Sequence, residues 1–356
     1  MLDFVYQALP ARVIFQAGAL SRLPEEVQRL GARRALILTT PGQRQLGERA
    51  ARALGSLAAG VCSAAVMHVP RKAAEAARAQ AEQLSADCCV AIGGGSTIGL
   101  GKAIALTSSL PILAVPTTYA GSEMTPIYGM TENGLKTTGR DLRVLPKTVL
   151  YDPLLTRDLP ADLSAASGMN AVAHAVEALY AQDANPIVSL MAEEAIRSLA
   201  RALPAVVADM RDDAARADAL YGAWLAGACL GAVGMALHHK ICHTLGGSFN
   251  LPHAQTHAIM LPYTAHYNHA AAAGALQRVA RALGGDTAAE AGALLMALNR
   301  NLGLPASLGQ IGMPQDGIRQ AAKIATDNPY YNPRPVRHDD VLAMLQRAWH
   351  GDPVAC

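Results

Sequence analysis

Over its first 150 residues the chain alternates short aliphatic runs with Ala-rich helical stretches, and after Asp152 that alternation stops. No other feature constrains the fold as strongly. ARRALILTT (32–40), GVCSAAVMHV (60–69), DCCVAIGGG (87–95) and LPILAVPTT (110–118) read as strands, while QRQLGERAARALG (43–55) and RKAAEAARAQAEQLSA (71–86) read as helices between them. Strand and helix repeated in this way imply a parallel sheet covered by helices on both faces. We therefore expect a doubly wound, Rossmann-like α/β domain over residues 1–155. Long Ala/Leu-rich segments with helical spacing then predict an all-α domain over 156–356. At 356 residues the chain exceeds one small core, and its 51% hydrophobic content fills two. With no low-complexity linker, the domains are expected to pack directly, with the active site in the cleft between them.

Charge excludes several partners. Thirty Lys+Arg balance 28 Asp+Glu, with no long run of either sign, which argues against nucleic acid or an anionic membrane surface. The six cysteines (62, 88, 89, 229, 242 and 356) lack C-x-x-C spacing, and MLDFVYQALP lacks the pattern of a signal peptide. They read as reduced thiols of a cytoplasmic protein. Residues 219–237 carry no charge and approach the length of a membrane span. Their Ala and Gly content is weakly hydrophobic, so the segment reads instead as one buried helix running into the histidines that follow.

CCVAIGGGSTIGLGKAIAL (88–106) is an apolar strand, a glycine turn and a helix. Glycines let backbone approach a ligand closely, and the helix N-terminus offers unpaired N–H groups to an anion such as a diphosphate. A tight turn without a ligand satisfies the same pattern. PTTYAGSEMTP (116–126) adds hydroxyls at Thr117, Thr118, Tyr119 and Ser122 after the next strand. Two polar loops at the carboxyl ends of adjacent strands favour a cofactor site, assigned to Gly93, Gly94, Gly95, Ser96, Thr97, Thr117, Thr118 and Ser122.

Five histidines fall between residues 238 and 257, at 238, 239, 243, 253 and 257. His239 and His243 are four apart, as are His253 and His257, and as are Asn170 and His174 upstream, so each pair shares a helix face. Imidazoles from several helices can thus converge on one point, as metal ligands or as acid/base groups. His238, His266 and His269 have no such spacing and read as structural.

These motifs resemble the iron-containing alcohol dehydrogenase family across nearly the whole chain: GGGS with Lys102 downstream, PTT with GSE-x-T, YDP at 151–153, GMNAVAHAVEA at 168–178, and histidines at 239, 243 and 253. The resemblance implies a dehydroquinate synthase-like fold, an NAD(P)-binding domain, a helical domain and a divalent metal. The family's ligand positions fall on Asn170, His174, His239 and His253, and His243 matches a histidine near the nicotinamide.

Position 170, however, is Asn in place of the family's Asp, which argues against a divalent metal. Gly99 stands where an acidic residue is common, and Thr40 stands where an Asp would grip the ribose 2′-hydroxyl. NADPH is therefore expected to be accepted beside NADH. With NPYYNPRP at 328–335, these departures resemble one branch of the family, the maleylacetate reductases. That resemblance implies reduction of a double bond conjugated to a ketone in a dicarboxylate. The charge formed is an enolate, which a protonated imidazole or an N–H stabilises without a metal. His243 and His253 are the expected donors, with His174 and His239 lining the pocket. Lys240 and Arg337 are candidates for the carboxylates, but each reads better as a solvated surface charge and neither is assigned to the site; a homodimer is the expected assembly. The competing readings are a metal-dependent (iron or zinc) alcohol or glycerol dehydrogenase, a 3-dehydroquinate synthase and a histidine-rich metal carrier.

Overall fold

The computed structural model describes residues 4–9, 11–132 and 135–354, so Cys356 lies outside the described residues. Two compact units emerge, Ala8–Leu159 and Pro160–Cys356, the latter joined by Met1–Gln7.

The first unit runs β1 (Arg12–Phe15), α1 (Leu23–Arg29), β2 (Ala35–Leu38), α2 (Arg44–Leu54), β3 (Ala58–Cys62), α3 (Arg71–Gln83), β4 (Cys88–Gly93), α4 (Gly95–Ser108), β5 (Ile112–Pro116), β6 (Ile127–Glu132), β7 (Leu135–Arg140) and β8 (Thr148–Tyr151). Six strands form a parallel sheet in the order β1-β8-β5-β4-β2-β3. The chain winds from β2 out to β3, then crosses back to β4 on the other side of β2. This is the doubly wound arrangement expected, with its switch point between β2 and β4.

Period-2 alternation places strand residues on two faces. Ala35, Ile37, Val90 and Ile92 pack with Leu23, Val27 and Leu54 of α1 and α2. Leu36, Leu38 and Cys89 pack with Ala74, Ala77, Leu100 and Ile104 of α3 and α4. Four strands were legible as aliphatic runs; β1, β8 and the antiparallel hairpin β6-β7 were not. RVIF and TVLY are only four residues long and no helix follows either at once, so neither carries a strand-helix signature.

The second unit is helical: α5 (Ala161–Leu179), α6 (Pro186–Ala208), α7 (Asp213–Ala232), α8 (Leu237–Phe249), α9 (His253–Asn268), α10 (Ala273–Ala282), α11 (Ala291–Asn301), α12 (Gly317–Asp327) and α13 (His338–His350). One expectation is corrected here. The uncharged stretch 219–237 does not run into the histidines as one helix: α7 stops at Ala232, Val233 is extended, and α8 starts after a bend of 97°. Gly246 and Gly247 lie inside α8, and Asn250 closes it in the left-handed region at φ 53°. The sequence shows no breaker stronger than Gly234, because the break is made by distant acceptors. Gly234 N–H donates to Asp183 at 2.9 Å and Ala236 N–H to Glu177 at 2.9 Å. Among the described residues no single helix is long and apolar enough to cross a membrane.

Small residues bring the helices together. α5 packs against α6, α7 and α9. A Cβ on Gly168 of α5 would lie 2.6 Å from Cδ1 of the fully buried Leu203, and one on Gly222 of α7 would lie 2.8 Å from Cγ of Leu199. Gly168→Ala is therefore expected to lower unfolding free energy by about 1–3 kcal/mol through overpacking, measured by urea denaturation. Unchanged stability would mean that the α5–α6 contact is looser than described.

Candidate active site

In the α/β unit, β4 ends on Gly93 at φ 153°, a conformation open to glycine, and Gly94 caps α4. A Cβ on Gly93 would collide with Thr97 and lie 2.9 Å from Gln43 Oε1, and one on Gly94 would lie 2.8 Å from Thr118. Past the turn, Gly95 is open: its nearest neighbour would be Ala120 at 3.8 Å. The first N–H groups of α4 have no intrahelical acceptor, and no acidic residue occupies its first turn. These features fit a diphosphate at the switch point.

The expected contacts are not equivalent. Thr97 and Tyr119 are fully buried beneath the turn, and Thr117 is buried and accepts from Gln43 Nε2 at 2.9 Å. Ser96, Thr118, Ser122 and Thr40 are half-buried. Gln43, which ties the β2 turn to the β5 loop, had no motif to reveal it. At Gly99 a Cβ would lie 2.7 Å from Val69, so Val69 closes the position where an acidic side chain would stand.

Lys102 locks the neighbouring loop. Its buried ammonium donates to Ser122 O (2.7 Å), Thr125 O (2.8 Å), Thr125 Oγ1 (3.0 Å) and Ile127 O (2.7 Å). Burial pulls its pKa down to about 7, and Glu123 opposes that pull. Every partner of Nζ is an acceptor, so this geometry requires the charged form.

In the helical unit, α5 presents Asn170, His174 and Glu177 on one face, α8 presents His238, His239 and His243, and α9 presents His253 and His257. They converge. Ring centroids lie 5.1 Å apart for His174–His239, 5.9 Å for His239–His243, 6.2 Å for His243–His253 and 4.4 Å for His253–His257. His266 and His269 form a separate stacked pair, with ring centroids 5.2 Å apart.

His238 departs from expectation. Though assigned no partner from sequence, it is fully buried inside the cluster, 2.9 Å from His257 Nδ1 through Nε2 and 3.1 Å from Thr264 Oγ1 through Nδ1. Thr264 spends its proton on the Met260 and Leu261 carbonyls, so it accepts from His238 Nδ1–H. His238 Nε2 must then accept from His257 Nδ1–H, which leaves His257 Nε2 as a lone pair that makes no hydrogen bond within the chain.

Glu177, also missed, sets a second tautomer. Its carboxylate accepts from His239 Nδ1 at 2.6 Å, from His238 N–H at 2.7 Å and from Ala236 N–H at 2.9 Å. His239 Nε2, Asn170 Oδ1 and His174 Nδ1 make no hydrogen bond among the described residues. Nothing local in GMNAVAHAVEA distinguishes Glu177 from a surface residue.

Beyond α12, the segment 328–337 is irregular. Asn332 and Asn268 exchange hydrogen bonds at 2.7 and 3.0 Å, and Arg334 lies 4.1 Å over the Tyr267 ring. The segment thereby holds Tyr330 at 6.4 Å from His243. Among the described residues Tyr330 and Tyr331 form no ring contact with each other, and both are exposed. Arg337 caps α13 and is exposed.

Comparison with known proteins names the class. The description "Iron-containing alcohol dehydrogenase" matches residues 10–153, and "Fe-containing alcohol dehydrogenase family, C-terminal" matches 164–349. The chain belongs to the iron-containing alcohol dehydrogenase family. Within it, the chain is 56% identical over 351 residues to maleylacetate reductase of Burkholderia cepacia, covering 99% of each. A second maleylacetate reductase, from Sphingobium indicum, is 56% identical over 352 residues, again covering 99% of each. The crystal structure of maleylacetate reductase from Agrobacterium tumefaciens superposes with a TM-score of 0.96 at 51% identity, covering all of both chains.

The family is named for iron, and the donors here do not fit a resident ferrous ion. Asn170, His174 and His239 offer only neutral atoms, and the nearby carboxylate of Glu177 is committed to three N–H groups. Among the described residues, His238, His239 and His257 are the His/Cys/Asp/Glu trio with ligand atoms within 4.8 Å of one another. Both nitrogens of His238 are already engaged.

Burial, reinforced by neighbouring imidazoles, holds the pKa values of His174, His238 and His257 well below the usual 6.5. The unfolded chain therefore binds more protons than the folded one below that value. Stability is complete above about pH 6.5 and falls as pH drops, by about 1.4 kcal/mol per pH unit for each such histidine. His257→Asn is expected to make the acid limb of unfolding free energy against pH shallower by one proton, measured by urea denaturation between about pH 7 and 5. An unchanged limb would show that His257 is already charged or already titrates normally.

Proposed function

We propose that this chain reduces the carbon–carbon double bond of maleylacetate with NADH or NADPH, giving 3-oxoadipate. Identity of 48–56% to curated maleylacetate reductases along 98–99% of the chain carries this reading. When bound, the nicotinamide supplies a hydride to the carbon β to the substrate ketone. The electron pair of the double bond then moves to the ketone oxygen as an enolate. His243 and His253 supply an N–H to that oxygen and the proton that closes the α-carbon, so one hydride and one proton add across the bond. His239 and His174 line the pocket. The nucleotide is assigned to the glycine turn through Gly93, Gly94, Gly95 and Ser96, with Thr118 and Ser122 beside it. Thr40 brings no carboxylate to repel a 2′-phosphate, which supports use of both nucleotides. The buried free thiols at Cys62, Cys88, Cys89, Cys229 and Cys242 support a reducing, cytoplasmic setting.

One observation favours the metal-dependent alcohol or glycerol dehydrogenase reading: Asn170 Oδ1, His174 Nδ1 and His239 Nε2 are buried without a hydrogen bond among the described residues, and the His174 and His239 rings lie 5.1 Å apart. Following NADH absorbance with maleylacetate beside simple ketones and aldehydes separates the two. Maleylacetate should be consumed preferentially, with activity retained in EDTA. Loss of that activity in EDTA and its recovery with Zn²⁺ or Fe²⁺ would overturn the metal-free mechanism. His243→Ala and His253→Ala should each lower kcat by about 100-fold or more while NADH binding is retained. Asn170→Asp should raise metal affinity without accelerating double-bond reduction.

A further inference from the structure

α8 carries a cation beside the histidine pocket that the mechanism above does not use. Lys240 is three residues before His243, so the two share a face of the helix. Its ammonium lies 5.6 Å from the centroid of Tyr330, whose ring is itself 6.4 Å from His243. Lys240, Tyr330 and His243 thus form one continuous patch. The side chain of Lys240 is half-buried and pairs with no carboxylate among the described residues. Several other cations of the helical unit are spent on carboxylates: Arg197 on Glu193 and Glu194, Arg278 on Glu193, Arg334 on Asp340.

Tyr330 is held in place by work done elsewhere. The segment bearing it is pinned by the Asn332–Asn268 pair, by Arg334 on Tyr267, and by the Tyr267 hydroxyl donating to Pro335 O at 2.7 Å. The ring face offered to the ammonium restricts where the lysine head settles without neutralising it. The carboxylate of the histidine cluster, Glu177, has its oxygens turned to His239 and to two backbone N–H groups. An unneutralised ammonium at the edge of a pocket of neutral imidazoles attracts an anion.

We propose that Lys240, steered by Tyr330, is the residue that recognises one carboxylate of a short dicarboxylate, and so sets the substrate class of the pocket. The inference rests on the double-bond reduction reading only for which dicarboxylate is turned over. The ammonium bonds one terminal carboxylate, and the ketone is thereby placed towards His243. Arg337, the other cation considered from sequence, is exposed at the start of α13 and has no contact with this patch among the described residues.

Adipate, an unreactive six-carbon dicarboxylate, separates recognition from turnover. Its binding to the NADH-loaded protein is measured by calorimetry for wild type, Lys240→Met and Lys240→Arg, with maleylacetate kinetics alongside. Lys240→Met should weaken adipate about tenfold to 100-fold, as expected for a charge-assisted bond, and flatten its dependence on salt. It should raise KM for maleylacetate by a similar factor with kcat largely kept. Lys240→Arg should recover most of the binding. Adipate binding by Lys240→Met equal to wild type, equal loss in both variants, or no adipate binding by wild type would each overturn the proposal. If wild type binds adipate through Lys240 but leaves maleylacetate unreduced, the reaction assignment fails and the recognition stands.

Discussion

The helical pocket depends on one buried carboxylate. Glu177 sits on α5, one turn beyond His174, and accepts three N–H groups from the start of α8. Two of these are backbone groups at Ala236 and His238, at a helix start that would otherwise leave donors unsatisfied. The third is His239 Nδ1. The same charge therefore stabilises the beginning of α8, fixes the break after α7 and determines which nitrogen of His239 faces the pocket. Charge-assisted bonds of this kind are about twice as strong as neutral ones, which suits a junction with a 97° bend.

A second chain of bonds runs from the Met260 and Leu261 carbonyls through Thr264 and His238 to His257. Each link spends the proton that the next would need, so the direction is fixed by the carbonyls at its end. Together, the Glu177 and Thr264 anchors fix Nδ1 of His239 and of His257 as donors, while Nε2 of each, Asn170 Oδ1 and His174 Nδ1 make no hydrogen bond among the described residues. An Asp at 170 would add the anionic ligand that a ferrous site prefers; the Asn offers a neutral amide oxygen in its place. Lys240 lies at the edge of the pocket as a positive charge held by an aromatic ring.

The α/β unit solves a different problem, that of opening backbone to an anion while keeping it rigid. Gly93 and Gly94 clear space at the switch point, and Gln43 bridges from the β2 turn to Thr117. Lys102 ties the loop after β5 to α4 through three carbonyls and a hydroxyl. A lysine used in this way is a structural cross-link.

Sequence by itself determined the strand-helix alternation, the glycine turn, the change to helices near residue 155 and the i,i+4 pairing of Asn170 with His174, His239 with His243 and His253 with His257. All are local, set by periodicity or by spacing within a helical turn. Motif order was also enough to suggest the family and the missing charge at 170. Tertiary structure alone decided what spans distant positions: the end of α7, which answers to Asp183 and Glu177 more than fifty residues upstream; the entry of His238 into the cluster through His257; the tautomers; and the placement of Tyr330 beside Lys240. Hydrogen-bond partners separated by nineteen to sixty-four residues leave no periodic trace in a sequence, because their proximity is created by helix packing.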